Sequence, residues 1–536
     1  MKSRLWLVPL AGAFLGALAW QDKVTGMIIL TAVVPFLYTF QATIDEKAHN
    51  SLVFLRVLPA FIILNLLTIS WLRNASIAGV IYVVIANAFL MSSVFWIAAV
   101  IYNRSSSFLG YLSLLTFWII MEYLNSNVSF LTPWLNLGNT LGNDILFIQW
   151  YDVTGATGGT LWIFLFNLAL FFFIYRFKKN AKYLVRQITV LLLILIIPAG
   201  ISLLKYFKPG QVDDFSDILI VQPNIDPYTV KFSSFTFEMQ LGKMLNMADM
   251  NITNETDWVI LPETAIDDPF YEKDVYNNKY YLMIDSLLGN FEGVSLITGA
   301  TTMRVPEDDG NDRHGNTYKR DNSGEHFEIY NTAMKVSPGQ DVDFYHKSKL
   351  VPGIEKKIRS LPDFVTEKII PDLGGTMTGY GTQDERTVFI HPDSISMIAP
   401  VICYESVYGN FITEYIREGS NLIVIITNDG WWENTQGYKQ HLMFARIRAI
   451  ENRRAVARAA NTGISCFIDQ KGRIIKQMGW WEEGVLYHSA GLNNNIGFYA
   501  SNGDFIARYL SIFGAFILII TFIGVPLRRL RDPQNF

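Results

Sequence analysis

Three side chains from well-separated segments have the types needed for acyl transfer without a metal. Glu263 ends the "WVILPE" of "DWVILPET" (257–264), Lys347 lies in "FYHKSKLVPGIE" (344–355) and Cys403 lies in "APVICYESVYGN" (399–410). A cysteine attacks only as its thiolate, so near neutral pH it needs a base to take its proton or a cation to hold the anion. Glu263 suits the base if burial raises its pKa. A lysine beside the sulfur lowers the thiol pKa and holds a developing oxyanion. Any long chain offers a Cys, a Glu and a Lys, so spacing alone leaves Cys403 open to two further readings. It is a buried structural thiol, or it is half of a disulfide with Cys466, the only other cysteine. Cys466 sits in the middle of "GISCFID" (463–469), where a core role is expected.

These residues need elements to hold them. Between 208 and 507 short β-rich runs recur: "DILIVQPNI" (217–225), "DWVILPET", "VSLITGATT" (294–302), "TVFIHP" (387–392), "ISMIAPVICYE" (395–405), "NLIVIITND" (421–429) and "GISCFID". Continuous apolar runs ending in polar residues read as strands buried on both faces. The stretch "QHLMFARIRAIENRRAVARAAN" (440–461) reads as a helix from its Ala, Leu and Arg content, with Asn434 and Thr435 as caps. Strands alternating with helices predict a layered α/β domain, whose strand ends commonly build the site. Glu263, Cys403 with Glu405, and Asn428 with Asp429 all end strands. The polar, Gly-rich 305–326 reads as a surface loop.

Several neighbours have plainer readings. Lys349 is expected to be solvated, and Asn428 and Asp429 to turn the chain. His441 is expected to be a hydrogen-bonded structural residue, and Arg446, Glu451 and Arg454 to form buried ion pairs on the long helix. Trp134 suits an interfacial aromatic anchor.

The chain of 536 residues is 50% hydrophobic with a net charge of −4. That is too apolar for an ordinary soluble enzyme, and nothing in the charge points to nucleic acid. Two cysteines make no disulfide framework. The seven histidines form no HxxxH and there is no CxxC, so no metal site and no cofactor is expected. Apolar residues crowd into 1–206 and return at 509–527, so 1–207 and 508–536 read as membrane segments, the latter ending in a basic tail. With roughly 20 apolar residues per span, about eight transmembrane helices are expected, near 5–20, 25–41, 52–72, 77–102, 107–125, 160–177, 187–206 and 508–527. The first reads as a retained helix, since no small-x-small cleavage site follows it. "RFKKNAKYLVR" (176–186) holds five basic residues, whereas 123–159 holds no Lys or Arg. The excess of Lys and Arg on cytoplasmic loops then puts both termini and 176–186 inside. It puts the outer loop 123–159 and the 208–507 domain outside.

The motifs "LPETA", "YHKSKLVPGIE", "VICYES" and "NDGWW…QHLMFARIRAIENRRAVARAANTGIS…IDQKGRI" resemble nitrilase-superfamily signatures. The match is closest to the bacterial apolipoprotein N-acyltransferase family, and "LTPWLNLGN" (131–139) and "IQWYDVTGATGG" (148–159) resemble its periplasmic loop. The resemblance spans essentially the whole chain. It implies a nitrilase-like αββα sandwich on a polytopic all-α membrane base in the bacterial inner membrane, with the catalytic domain on the periplasmic side. Carried over, Glu263 matches the general base, Lys347 the catalytic lysine and Cys403 the nucleophile. Glu355 matches a second glutamate, and Tyr404 and Glu405 the positions after the cysteine. The implied reaction moves a fatty acyl chain from a phospholipid, by resemblance phosphatidylethanolamine, through a Cys403 thioester to the α-amine of a diacylglyceryl-cysteine apolipoprotein.

Two departures bear on substrate detail. The family's LVPFGE is Leu350-Val351-Pro352-Gly353-Ile354-Glu355 here, and its NDAWF is Asn428-Asp429-Gly430-Trp431-Trp432. The lid tryptophan expected after "VQPNI" is missing, and Phe232 is the nearest aromatic. Because an exposed thioester hydrolyses, loops at 226–236 and 350–366 are expected to cover the site. The alternatives are a membrane-anchored amidase or nitrilase using the same triad with water, and a non-catalytic scaffold on the same fold.

Overall fold

The computed structural model describes residues 5–177, 184–226, 237–305, 319–320, 326–352, 355 and 379–524. Phe232 and most of the two expected covering loops lie outside these residues. The chain forms two compact units: Met1–Trp71 with Gly79–Lys208 and Asn502–Phe536, and Leu72–Ala78 with Pro209–Ser501.

In the first unit, seven helices among the described residues are long and apolar enough to cross a membrane: Gly26–Asp45, Ser51–Asn74, Ile77–Arg104, Ser107–Asn127, Tyr151–Tyr175, Leu184–Phe207 and Phe505–Ile523. The first expected span is instead Val8–Ala19, only 12 residues. The expected count of eight is therefore seven long helices and one short apolar helix. The helix expected near 160 begins at Tyr151 and runs through the glycine-rich turn, kinking at Gly155 where φ is +62°.

Residues 128–150 join two of these helices through 3₁₀ turns at Leu137–Asn143 and Ile145–Phe147. Irregular backbone in an apolar unit must find internal hydrogen bonds, and the buried Glu122 supplies them. Its Oε1 accepts from Leu137 N at 2.7 Å and Trp118 Nε1 at 3.0 Å, and its Oε2 from Thr160 Oγ1 at 2.6 Å. Trp134 is no exposed anchor: it is buried, its ring 5.0 Å from that of Trp71.

The second unit holds β1 (Asp214–Gln222), β2 (Trp258–Ile260), β3 (Ile266–Tyr271), β4 (Ser295–Arg304), β5 (Lys319–Arg320), β6 (His326–Val336), β7 (Asp343–His346), β8 (Phe389–Ile390), β9 (Met397–Ile402), β10 (Leu422–Thr427), β11 (Val456–Ala460), β12 (Cys466–Ile468), β13 (Ile474–Gln477) and β14 (Gly484–Leu492). One sheet runs β14-β1-β2-β4-β6-β5, with β3 on β4 and β7 on β6; the other runs β13-β12-β11-β10-β9-β8. Within each, the central strands β1, β2 and β4, and β9, β10 and β11, are parallel. Their Ile-, Leu- and Val-rich runs are fully buried, as parallel strands covered on both faces require. Trp258 Nε1 donates to Ser396 Oγ across the two sheets at 2.8 Å. Helices Phe237–Asp249 and Lys279–Leu288 cover the first sheet, and Gly409–Arg417 and Gln436–Asn452 the second. This is the αββα layering the resemblance implied.

The long helix is shorter than its composition suggested. It stops at Asn452, Arg453 turns at φ +51°, and Val456–Ala460 forms β11 between β10 and β12. Burial between two partner strands overrides the helical preference of "AVARAA". Arg454 thus lies off the helix. Carbonyls of Ser420, Asn452 and Asn495 hold its guanidinium, not the expected ion pair, and burial lowers its pKa to about 10.

Candidate active site

Each site residue follows a strand. Glu263 leaves β2 in a segment held to β4 by Leu261 N to Ile297 O (2.8 Å) and Gly299 N to Pro262 O (3.1 Å). A Cβ at Gly299 would lie 2.6 Å from Glu263 Cα and 2.4 Å from Thr264 N, so only glycine permits this approach. Lys347 follows β7, its N–H on Asn331 O at 2.8 Å. Cys403 follows β9 and opens a 3₁₀ turn, Cys403–Val407. Its φ is +49° and that of Thr264 is +50°. Non-glycine residues in the left-handed region cost of order 1–3 kcal/mol and cluster at functional sites.

The structure brings the three expected side chains together. Lys347 Nζ lies 3.0 Å from Glu263 Oε1 and 2.7 Å from Glu355 Oε1. Cys403 lies near enough to Glu263 for the thiol to help keep that carboxylate ionised and for the carboxylate's charge to act on the thiol. Glu263, Lys347 and Cys403 are 7%, 1% and 7% exposed. The second Glu263 oxygen accepts from Asn428 N at 3.1 Å, so Asn428 does more than turn the chain.

Charge distribution here departs from the expectation. Burial pushes Glu263 up, but the Lys347 ammonium and the hydrogen bonds from Asn331, Lys347 and Cys403 outweigh it, so its pKa falls below the ordinary 4.5. Burial pushes Cys403 well above its ordinary value and the Glu263 charge adds to this; the pull of Lys347 does not offset them. Burial lowers Lys347, yet Glu263 and Glu355 together hold it well above its ordinary value. At rest the site is therefore carboxylate, ammonium and neutral thiol. Removing the lysine from such a buried arrangement would strand two carboxylates.

Glu405 is a structural tie. Its Oε1 accepts from Tyr345 OH and Ser348 N, both at 2.6 Å, and its Oε2 from Ile402 N at 2.8 Å. It thereby fastens the end of β9 to the segment that carries Lys347. Burial raises its pKa. Tyr404 packs edge-on against Tyr408, ring centroids 5.3 Å apart. Lys349 lies over the Tyr408 ring at 5.2 Å. Glu451 pairs with Arg448 at 3.2 Å, and Arg446 Nε donates to Gly472 O. Cys466 is fully buried in β12 and both cysteines are free, which removes the disulfide reading; burial pushes the Cys466 thiol up to about 12.

Residues outside the motif reading also build the site. Asn331 Nδ2 donates to Glu263 Oε1 at 2.9 Å and Glu355 Oε1 at 3.2 Å, clamping both carboxylates on Lys347. A small cavity beside Glu263 is lined by Ile225, Met244, Pro262, Asn428 and Asn461. Asp257, His391 and Asp393 also group closely enough to hold a cation. They are engaged with Ser216 and Asp217 N, Gly293 O, and one another.

The family model described as carbon-nitrogen hydrolase matches residues 220–494. The chain belongs to the carbon-nitrogen hydrolase family. Ahead of that hydrolase-family domain, residues 12–169 match the model of the apolipoprotein N-acyltransferase N-terminal domain. The Chlorobaculum tepidum protein named apolipoprotein N-acyltransferase is 28% identical over 498 residues, covering 91% of this chain and 90% of its own. The one from Geobacter metallireducens is 27% identical over 405 residues, covering 73% and 70%. Among solved structures, a Saccharomyces cerevisiae member of branch 10 of the nitrilase superfamily is 16% identical with a TM-score of 0.36, covering 52% of this chain and 91% of its own. The resemblance drawn from the motifs is borne out, and this member of the hydrolase family is a multi-pass membrane protein.

Proposed function

We propose that the protein is a phospholipid-dependent apolipoprotein N-acyltransferase of the bacterial inner membrane, with residues 208–507 forming a catalytic domain on the periplasmic side. The observation that carries this reading is the buried Glu263–Lys347–Cys403 cluster in a chain whose N-terminal helices match the acyltransferase-specific domain.

The reaction has two halves. Glu263 takes the thiol proton as Cys403 Sγ bonds to an ester carbonyl carbon of the donor, phosphatidylethanolamine in this reading. Lys347 holds the resulting oxyanion, and Glu355 and Asn331 keep its ammonium in place. The C–O bond breaks, the Glu263 proton passes to the departing oxygen, and a lysophospholipid leaves the acyl thioester. The α-amine of a diacylglyceryl-cysteine then bonds to the thioester carbonyl and gives its proton to Glu263. The C–S bond breaks, and that proton returns to sulfur to restore the thiol beside the new amide. Because Glu263 is held below its ordinary pKa and the thiol above its own, proton transfer must accompany C–S bond formation; no resting thiolate is required.

Mass spectrometry of the full chain incubated with phosphatidylethanolamine should find an acyl adduct on Cys403 that Cys403→Ala lacks. Adding a diacylglyceryl-peptide should discharge it as an amide. Free fatty acid released equally fast with and without the peptide would instead support a hydrolase, and no adduct at all a scaffold.

A further inference from the structure

Behind the thiol lies a second, fully buried cluster with no place in the steps above. His441, on the helix Gln436–Asn452, and Asp429, just after β10, are each 0% exposed. His441 Nδ1 lies 2.9 Å from Asp429 Oδ1 and 3.1 Å from Arg458 Nη2. Thr427 Oγ1 donates to the same Asp429 oxygen at 2.9 Å, and Arg458 Nη2 donates to the other. Burial pushes Asp429 up, but Arg458 and His441 outweigh it and keep it a carboxylate. The imidazole is thus fixed on one side by an anion and a guanidinium.

Its other side meets the cysteine. Nε2 lies 3.1 Å from Cys403 O and 2.8 Å from Ser406 Oγ, and Ser406 Oγ donates to Cys403 O at 2.8 Å. A carbonyl oxygen only accepts, so the contact to Cys403 O is a hydrogen bond in the form of the imidazole whose Nε2 carries a proton. The carbonyl it holds belongs to the residue at φ +49°. A cysteine relaxes out of that conformation unless its surroundings hold it, and moving that peptide plane swings Sγ away from Glu263.

We propose that His441 is a positioning residue for the nucleophile: its Nε2–H, with Ser406 Oγ–H, pins the Cys403 carbonyl and so keeps the strained backbone that aims the thiol at Glu263. Asp429 and Arg458 set the imidazole's orientation. The inference rests on Cys403 being the nucleophile, and its test separates the two claims.

The full chain in detergent is mixed with a labelled phosphatidylethanolamine, and single-turnover thioester formation is followed across donor concentrations. A glutamine amide can reach the Nε2 position, whereas an asparagine amide is too short. His441→Asn should slow the maximal acylation rate about 100-fold, as a misplaced nucleophile does, with the half-saturating donor concentration unchanged. His441→Gln should recover to within about 10-fold of wild type by the same geometric argument. Wild-type rates in a folded His441→Asn overturn the proposal. So does equal loss in both variants together with an equal fall in melting temperature, which marks a packing role only. If His441→Asn does not fold, Ser406→Ala decides: several-fold slower acylation at unchanged half-saturation supports the pinned carbonyl, and no change overturns it. A wild-type protein that forms no thioester defeats the nucleophile assignment itself.

Discussion

At the scale of single residues, the site stores its reactivity as a charge arrangement. Glu263 holds the thiol in its neutral form as well as standing ready to deprotonate it, since its charge helps raise the Cys403 pKa. Glu263→Gln should therefore move two measurements in opposite directions. Removing that charge lowers the thiol pKa and leaves more thiolate at pH 8. Iodoacetamide should then label Cys403 faster, while thioester formation drops by about 100-fold for want of the base. Labelling that slows or stays constant would contradict the arrangement. In the wild type, labelling should keep rising beyond pH 9, the ordinary thiol value, and the acid limb of acylation should lie below pH 4.5, the ordinary value for Glu263. The motif residues Glu263, Lys347, Glu355 and Cys403 were legible because each ends a recognisable strand or loop signature. The direction of the Glu263 shift was not, because it depends on three donors from other segments. Asn331 was hidden for a related reason: a polar residue in mid-strand looks ordinary until β6 is seen lying between β4 and β7.

At the scale of elements, position comes from close backbone approaches. Gly299 in β4 leaves room for the turn that carries Glu263. Gly299→Ala should force that turn outward at about 1–3 kcal/mol, the usual cost of overpacking. Thermal unfolding should fall by about 2–4 °C per kcal/mol, and acylation should slow about 100-fold through misplacement of the carboxylate. Unchanged melting and unchanged rate together would show that β4 does not set the base. Element identity was readable from continuous apolar runs. The main misreading was the helix carried through 456–460, where alanine and arginine suggest helix locally and only its pairing with β10 on one side and β12 on the other makes the segment a strand. The start of the Tyr151 helix was likewise concealed by its glycines, which serve close packing: a Cβ at Gly159 would meet Tyr151 OH at 1.8 Å.

At the scale of the whole molecule, the membrane half has its own buried carboxylate. Glu122→Ala leaves Leu137 N–H, Trp118 Nε1–H and Thr160 Oγ–H without their acceptor, at about 1–3 kcal/mol for each buried unpaired group. The thermal aggregation midpoint in detergent should fall by several degrees; a midpoint equal to wild type would mean the 128–150 connection is held by other means. The division into an apolar half and an α/β half was plain from composition. The number of long helices was not, because hydropathy alone does not say where a short apolar helix stops.

The α/β unit is inserted within the chain, entered after the helix Leu184–Phe207 and left before the helix Phe505–Ile523. Such a domain has no loose end. One protease cut at either junction leaves it fastened by the other, so shedding it takes two.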